Sequence, residues 1–298
     1  MKTKTLIALG LAAFALASCV SSPSPSEGRA ASAERPTAPV RKERVEEYQV
    51  PVVVKETRSF ADGLVDRVTS YSYSADFASL LSVTVARPTV ATPVERVEYA
   101  LDQAGRPARK TVFGSDGAVA SSSAYEYDAA GLLVREVNRD AKNQVVSQSE
   151  WAYQNGVKAA WRVLDPSGVT LARTEYRYEG GLLVEARLHG AGGALSGSIR
   201  YEYADFGEAK GLLVAERFFN ASGAQDGSVA YERGPGGPLM KETRIRADGR
   251  RERVVDYEYG PRGELVKAVF RDGAGAARES VAYENAWRTM TRVVVYFE

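Results

Sequence analysis

Three glutamates recur at the centre of a tyrosine-x-tyrosine motif, and their type and spacing could support acid–base chemistry. They are Glu126, Glu202 and Glu258 of a 298-residue chain. Two carboxyl groups can hydrolyse a glycosidic bond when one of them has a raised pKa and acts as the acid. Strand alternation, however, places these glutamates opposite the tyrosine rings, on a face rich in arginine and lysine. We therefore expect paired surface charges, and no catalytic residue is predicted.

Other signatures of catalysis or metal binding are missing from the sequence. His189 is the single histidine and lies beside Gly190 in a predicted turn, so the common triads and zinc sites cannot be assembled. No nucleophile elbow, phosphate-binding loop or His-Glu-x-x-His motif occurs. Asp-Gly turns offer hard oxygen ligands for calcium, but the nonapeptide period of a calcium-binding β-roll is absent. We predict a non-enzyme with no cofactor and no metal.

Cys19 is the only cysteine, so a disulfide within the chain is excluded.

The first residues of the chain have the pattern of an export signal. Lys2 and Lys4 precede an apolar run, Leu6 to Ala17, that is shorter than the roughly 20 residues needed to span a bilayer. Leu16-Ala17-Ser18-Cys19 resembles the lipobox of bacterial lipoproteins. The resemblance implies cleavage before Cys19 and lipidation of this residue. The alternative is an ordinary secretory signal with a chance cysteine.

Lipidation at Cys19 also predicts a location. Several acyl chains anchor a protein stably to a membrane, and Val20 is not the Asp that retains lipoproteins in the inner membrane of enteric bacteria, so the outer membrane is expected. Residues 19–45 are rich in Ser, Pro, Ala and charged residues, which predicts a flexible linker.

The whole chain is close to neutral, with 39 Lys and Arg residues and 38 Asp and Glu residues. This neutral balance argues against nucleic acid as a partner.

The last tyrosine of each cluster returns every 24 to 28 residues from Tyr73 to Tyr283. Each period holds one segment that ends in the tyrosine motif and another that opens on glycine and continues with aliphatic residues, such as Gly131-Leu132-Leu133-Val134. Sequences such as Asp165-Pro166-Ser167-Gly168, and dipeptides such as Asp272-Gly273, predict tight turns. Turns this short join only antiparallel strands. The sequence therefore predicts two antiparallel strands per repeat of about 26 residues.

Nine such repeats predict 16 to 18 strands, more than an open twisted sheet usually holds. We expect an all-β fold: a long antiparallel β-meander that forms one curled or barrel-like sheet, in which each tyrosine packs across an aliphatic strand. The predicted domains are a signal peptide at 1–18, the lipidated linker at 19–45, an irregular β cap at 46–98 and the tandem repeat domain at 99–298. Residues 292–297 are expected to cap the other end of the array.

The order of tyrosine motif, glycine turn, aliphatic segment and Asp-Gly turn between Tyr99 and Tyr283 resembles the YD repeats of RHS-type proteins. Tyr127-Asp128 is the dipeptide that gives these repeats their name. The resemblance implies an extended β shell, which in that family often surrounds a C-terminal toxin. Because the repeats run almost to Glu298, no toxin domain is expected here.

Two functional hypotheses follow from these patterns. The first is a monomeric, membrane-tethered, non-catalytic envelope lipoprotein whose β array is a binding surface or a structural spacer, with an envelope protein or a polysaccharide as candidate partner. Its ligand-binding residues are not predicted. The alternative is a carbohydrate-active enzyme that uses Asp and Glu in a groove of the array. Two carboxyl groups beside tyrosine in a deep groove would favour the enzyme, whereas ion-paired glutamates on an open face would favour the binding surface.

Overall fold

A computed structural model describes residues 41–91, 93–205, 207 and 209–297. The predicted signal peptide and Cys19 lie outside these residues, and β1 begins at Arg41, within the predicted linker. The described part of the chain forms eighteen strands and no helix. The strands are β1 Arg41–Phe60, β2 Val65–Tyr73, β3 Leu80–Ala86, β4 Glu95–Leu101, β5 Pro107–Phe113, β6 Val119–Tyr127, β7 Leu133–Asp140, β8 Val145–Gln154, β9 Val157–Leu164, β10 Thr170–Glu179, β11 Leu182–Gly190, β12 Leu195–Tyr203, β13 Leu213–Asn220, β14 Gln225–Arg233, β15 Leu239–Arg246, β16 Arg251–Tyr259, β17 Leu265–Asp272 and β18 Ala277–Phe297.

The described residues fall into two compact units. One contains the first residues of β1, 41–44, and the last residues of β18, 293–297. The other, Val45–Arg292, holds the repeat array together with most of β1 and β18. The predicted cap at 46–98 contains the rest of β1, then β2, β3 and the first residues of β4, and all four are strands of the same sheet as the repeats.

The sheet closes on itself. Each strand pairs antiparallel with the next strand along the chain, and β1 also pairs with β18. Across the β1–β18 seam, Lys55 bonds Glu284 at 2.8 Å and Arg58 bonds Glu279 at 2.6 Å. Residue numbers rise on one strand as they fall on the other, so this pairing is antiparallel too. The predictions of an all-β meander, of 16 to 18 strands and of a barrel-like single sheet are confirmed.

The turns explain why the chain forms a meander. In twelve connections, the first residue exchanges main-chain hydrogen bonds with the fourth and fifth, as where Gly168 N–H donates to the Asp165 carbonyl at 3.0 Å. The fourth residue of these turns has a positive φ and is glycine in every case except Asn143. This geometry is a type I turn followed by a G1 bulge, which glycine accommodates without a steric cost. The predicted Asp/Asn-x-x-Gly turns are therefore confirmed.

Two details of the predicted turns and strands are corrected. Asp272-Gly273 is not the tight dipeptide itself, because Asp272 is the first turn residue and Gly275 is the fourth. The glycines predicted to open the aliphatic strands belong to the turns: Gly131, for example, has a φ of +83°, and β7 begins at Leu133.

Two other connections are shorter. The two-residue turns at Asn155-Gly156 and Gly180-Gly181 have positive φ at both positions, as a type I′ turn requires.

Alternation gives the sheet two unlike faces. We call the face that bears the rings of the tyrosine motif the tyrosine face, and the face that bears the residues between the rings the charged face. The core lies mainly on the tyrosine face, where Val255 is 2% and Ala268 is 0% exposed. The buried side chains on the tyrosine face are Ser123, Ser149, Thr174, Ala186, Val229, Val255, Ala268 and Val281. Tyr127 pairs with Leu133 and Tyr203 with Leu213, so the predicted packing of tyrosine across an aliphatic strand is confirmed.

Candidate functional site

The last ring of each tyrosine motif has a repeated hydrogen bond. Tyr153 Oη donates to the carbonyl oxygen of Leu133, 20 residues earlier, at 2.8 Å. The ladder between β7 and β8 ends at the pair Arg135–Glu150, two residues before that carbonyl. The phenol therefore takes over as donor where the main-chain ladder stops. We call this residue of each motif the clamp position.

The same bond recurs around the sheet. Tyr73 bonds Val53, Tyr127 bonds Pro107, Tyr203 bonds Leu183 and Tyr259 bonds Leu239, always 20 residues back and at 2.8 to 3.0 Å. Each of these bonds follows the last ladder pair between the two strands that it joins. The tyrosines are thus fixed by both ring packing and a hydrogen bond, which makes them parts of the scaffold.

The predicted spacing of the tyrosines needs one correction. Tyr231 and Tyr283 stand at the first ring of their motifs, and the clamp positions there are Arg233 and Asn285. Arg233 Nε donates to the Leu213 carbonyl at 3.1 Å, and Asn285 Nδ2 donates to the Leu265 carbonyl at 2.9 Å. What the clamp position keeps is a hydrogen-bond donor. When the repeats are aligned on the clamp position, this position falls at residues 73, 99, 127, 153, 178, 203, 233, 259 and 285.

The first ring of the motif contacts carboxylates on the tyrosine face. Tyr71 Oη donates to Glu56 at 2.9 Å, and Tyr257 Oη lies 3.5 Å from Glu242. Burial, together with the charge of Glu242, raises the pKa of Tyr257 to about 12. Burial also raises the pKa of the Glu216 carboxyl, despite the opposing effect of its hydrogen bond from Tyr231. These phenols therefore remain protonated donors at neutral pH.

The three glutamates that were considered for acid–base catalysis all lie on the charged face. Each is next to an arginine or lysine side chain. Glu126 is 3.4 Å from Arg135, Glu202 accepts a hydrogen bond from Arg217 Nη2 at 3.1 Å, and Glu258 is 4.0 Å from Lys267. The bonds from Arg217 lower the pKa of Glu202. The prediction of paired surface charges is confirmed, and the structure does not bring these three carboxylates together.

Two adjoining grooves open on the charged face between β6 and the β9–β10 turn. One, of about 410 Å³, is lined by Arg135, Glu150 and Arg162 and by the turn Pro166–Gly168. The other, of about 260 Å³, adds Glu126 and Trp151. Glu150 accepts a hydrogen bond from Arg162 at 2.6 Å, and Glu126 faces Arg135. Both carboxylates of these grooves are thus ion-paired, which suits charged recognition better than general acid catalysis.

His189 lies within the last residues of β11, next to the predicted turn. Its Nδ1 is 3.1 Å from the Gly193 carbonyl, and its Nε2 is 3.6 Å from the Glu175 carboxylate. Among the residues that the structure describes, no three His, Cys, Asp or Glu side chains are grouped so that they could hold a metal ion. In that same part of the chain, no helix is long and apolar enough to cross a membrane.

Comparison with known proteins gives a loose likeness in backbone alone. A chain of the Photorhabdus luminescens Tc holotoxin pore is 14% identical over 74% of this chain, with a TM-score of 0.28, and TcdB2-TccC3 is 14% identical over 75%, also at 0.28. The chain covers only 14% and 16% of those toxin chains. A porin-like protein from Bacteroides uniformis is 13% identical over 83% of this chain and 96% of its own, with a TM-score of 0.39.

No family model and no curated protein matches the sequence. Each of the TM-scores above lies below 0.5, so these structures assign neither a family nor a function to this chain.

Two features of the site were not predicted from the sequence. The first is the pair of hydrogen-bond donors at Arg233 and Asn285, which were not predicted because the repeat was defined by the spacing of tyrosines. The alignment of Tyr231-Glu232-Arg233 with Tyr257-Glu258-Tyr259 could have shown the donor at Arg233. A cluster of arginines around Glu185 was missed as well. Its members come from three strands, so only the register of β10, β11 and β12 brings them together.

Proposed function

We propose that the chain is a lipid-tethered, non-catalytic protein of the bacterial envelope whose closed β array serves as a binding surface or a spacer. One observation carries the proposal: the three glutamates at the centres of the tyrosine motifs, Glu126, Glu202 and Glu258, are ion-paired and about half exposed. A general acid needs a carboxyl group whose pKa is raised by burial, whereas a surface that recognises charged partners needs fixed, solvated charges. The charged face has the second arrangement.

The tyrosines support the same proposal. Periodic aromatic rings would suit stacking on sugars if they were free, but in seven motifs the residue at the clamp position bonds a main-chain carbonyl of the preceding strand. The tyrosine face thus maintains the sheet, and recognition falls to the charged face and to the connections. The connection between β12 and β13 is longer than the repeated turn, and we include it in this proposed binding surface.

The tether in this proposal depends on Cys19. Cleavage before this residue and its acylation would hold the array at the membrane through the residues that precede β1. The test is Cys19→Ala, followed by detergent partition and by mass spectrometry of the N-terminal peptide. We expect the parent to enter the detergent phase with an acylated N-terminal Cys19 and the variant to stay in the aqueous phase. A variant that still partitions into detergent would contradict the tether.

Binding is tested separately from the tether. The full chain with Cys19→Ala is applied to a glycan array, and the same glycans are then incubated with the protein and analysed for products. Retention of a glycan without cleavage supports a binding surface, and absence of any retention supports the spacer. Release of shortened glycans that is abolished by Glu150→Gln would overturn the non-catalytic proposal and favour the enzyme.

We further propose that the repeats are a divergent form of the YD type. The structure supplies a physical reason for that dipeptide at Tyr127-Asp128. Tyr127 occupies the clamp position, and Asp128 is the first residue of the following turn, where its Oδ1 accepts hydrogen bonds from the N–H groups of Ala130 and Leu132 at 3.0 and 2.8 Å. The two residues close one hairpin and open the next, which would make them useful in any repeat of this design.

A further inference from the structure

Three guanidinium groups surround one buried carboxylate on the charged face. Glu185 of β11 is 3.1 Å from Arg187 Nε, 3.4 Å from Arg177 Nε and 3.8 Å from Arg200 Nε, and its side chain is only 8% exposed. Arg177 has a second carboxylate partner in Glu179. Arg187 and Arg200 have none besides Glu185 among the described residues, so these two cations share one negative charge and leave the cluster with an excess of positive charge.

The donors of this cluster are only partly used. Glu185 is approached by the Nε atoms of Arg187 and Arg200, and no protein group in the described residues accepts from the Nη1 and Nη2 atoms of either side chain. These side chains are 56% and 60% exposed. Each therefore offers two terminal amino groups to a ligand from solvent. Paired guanidinium donors match the oxygen atoms of a phosphate group.

The register of the sheet sets the two arginines beside one another. Arg200 is directly opposite Glu185, and Ser198 is directly opposite Arg187, so the two arginines are diagonal neighbours on β11 and β12. Such positions are about 7–8 Å apart, within reach of long side chains. The Arg200 guanidinium stacks on the Phe219 ring at 4.5 Å, which orients it before any ligand arrives. Ser198 contributes a hydroxyl on the same face.

We propose that Arg187, Arg200 and Ser198 form a binding site for a phosphomonoester group. Such a group carries a charge of about −1.5 to −2 at pH 7 and several acceptor oxygens, so it can accept hydrogen bonds from both guanidinium groups and from the Ser198 hydroxyl at once. The proposed site specifies which class of ligand the charged face binds. To that extent it rests on the binding function proposed above. It does not depend on acylation of Cys19.

The test uses the full chain with Cys19→Ala and inorganic phosphate as the probe, with binding followed by calorimetric titration at low ionic strength. We expect saturable binding that Arg187→Gln and Arg200→Gln each weaken about tenfold or more, since charge-assisted hydrogen bonds are lost. Arg200→Lys retains the charge without the planar guanidinium and is expected to bind weakly while the protein keeps its melting temperature. The matched control is Arg162→Gln, because this arginine of the same face has a carboxylate partner that it does not share with another arginine among the described residues, Glu150 at 2.6 Å.

Vesicles identify the source of the phosphate. Flotation with phosphatidylcholine vesicles that contain phosphatidic acid, compared with pure phosphatidylcholine, shows whether a lipid headgroup is accepted. Flotation that is lost in Arg200→Gln assigns a headgroup, and phosphate binding without flotation assigns a soluble phosphorylated ligand; both outcomes support the site. It is overturned if phosphate does not bind saturably, or if Arg162→Gln weakens binding as much as Arg187→Gln. Because acylation plays no part in these assays, failure of the tether at Cys19 would remain a separate result.

Discussion

The Tyr153 hydroxyl donates a hydrogen bond to the carbonyl of Leu133 at the point where the β7–β8 ladder has ended. Both residues lie on adjacent strands, and the bond spans 20 residues of sequence. A carbonyl that has lost its ladder partner would otherwise depend on water or stay unpaired, which costs stability where it is shielded. The repeated tyrosine is therefore a main-chain partner as well as a packed ring.

Tyr153→Phe tests that role, because it removes the hydroxyl and keeps the ring. We expect a loss of about 1 kcal/mol in the free energy of unfolding, measured by urea denaturation, since one hydrogen bond is lost and its acceptor remains. Tyr178→Phe is the matched control: Tyr178 occupies the same clamp position, but among the described residues its hydroxyl makes no such bond to a carbonyl. Equal losses in the two variants would show that the hydroxyl is not what the clamp position contributes.

The exception at Asn285 leads to a second prediction. Its Nδ2 donates to the Leu265 carbonyl, so a tyrosine placed there can take over the bond and a leucine cannot. We expect Asn285→Leu to lower the free energy of unfolding by about 1 kcal/mol and Asn285→Tyr to leave it nearly unchanged. If both variants were equally destabilised, shape rather than hydrogen bonding would govern this position.

How far the sequence could predict the fold depends on how local each signal is. Asp165-Pro166-Ser167-Gly168 specifies its turn by itself, because the Asp165 carboxylate accepts from the N–H groups of Ser167 and Val169 within five residues. Strand number and antiparallel pairing follow from such turns. Closure does not, because the pairing of β1 with β18 joins residues more than 200 positions apart, such as Lys55 and Glu284.

The candidate site was harder to predict for the same reason. Glu126 was expected on a face rich in arginine and lysine from alternation alone, and it is paired with Arg135 there. The cluster at Glu185 needs more, because Arg200 reaches it only through the β11–β12 register, and a bulge between Leu188 and His189 interrupts that register. A one-residue slip between these strands would move side chains to the opposite face, so the composition of each strand could not identify the cluster.

Turn glycines provide a third prediction. Gly168 has a φ of +88° with open space where a Cβ would lie, so Gly168→Ala strains the backbone without causing a clash. We expect a loss of about 1 kcal/mol in the free energy of unfolding. Gly192→Ala is the control, because Gly192 also has open space but no positive φ, and its melting temperature should be unchanged or slightly higher. Equal effects would exclude backbone strain as the cause.

The two faces of the sheet predict opposite responses to pH. Burial raises the pKa of Glu216 above its unfolded value, so the folded protein binds this proton more tightly, and stability falls as rising pH removes it. Hydrogen bonds from Arg217 lower the pKa of Glu202, so this carboxylate stabilises the fold above its unfolded pKa, and the contribution is lost as the pH falls through the folded pKa.

Glutamine substitutions separate these two cases. At pH 7, Glu216→Gln should raise the melting temperature, because a neutral amide replaces a carboxylate whose charged form is disfavoured by burial, and the gain should shrink as acid protonates Glu216. Glu202→Gln should lower the melting temperature at pH 7, and its loss should shrink in acid. Thermal unfolding of both variants and the parent between pH 4 and pH 8 checks the signs. A gain from Glu202→Gln or a loss from Glu216→Gln at pH 7 would contradict the assignment of Glu216 to a buried environment and of Glu202 to a solvated ion pair.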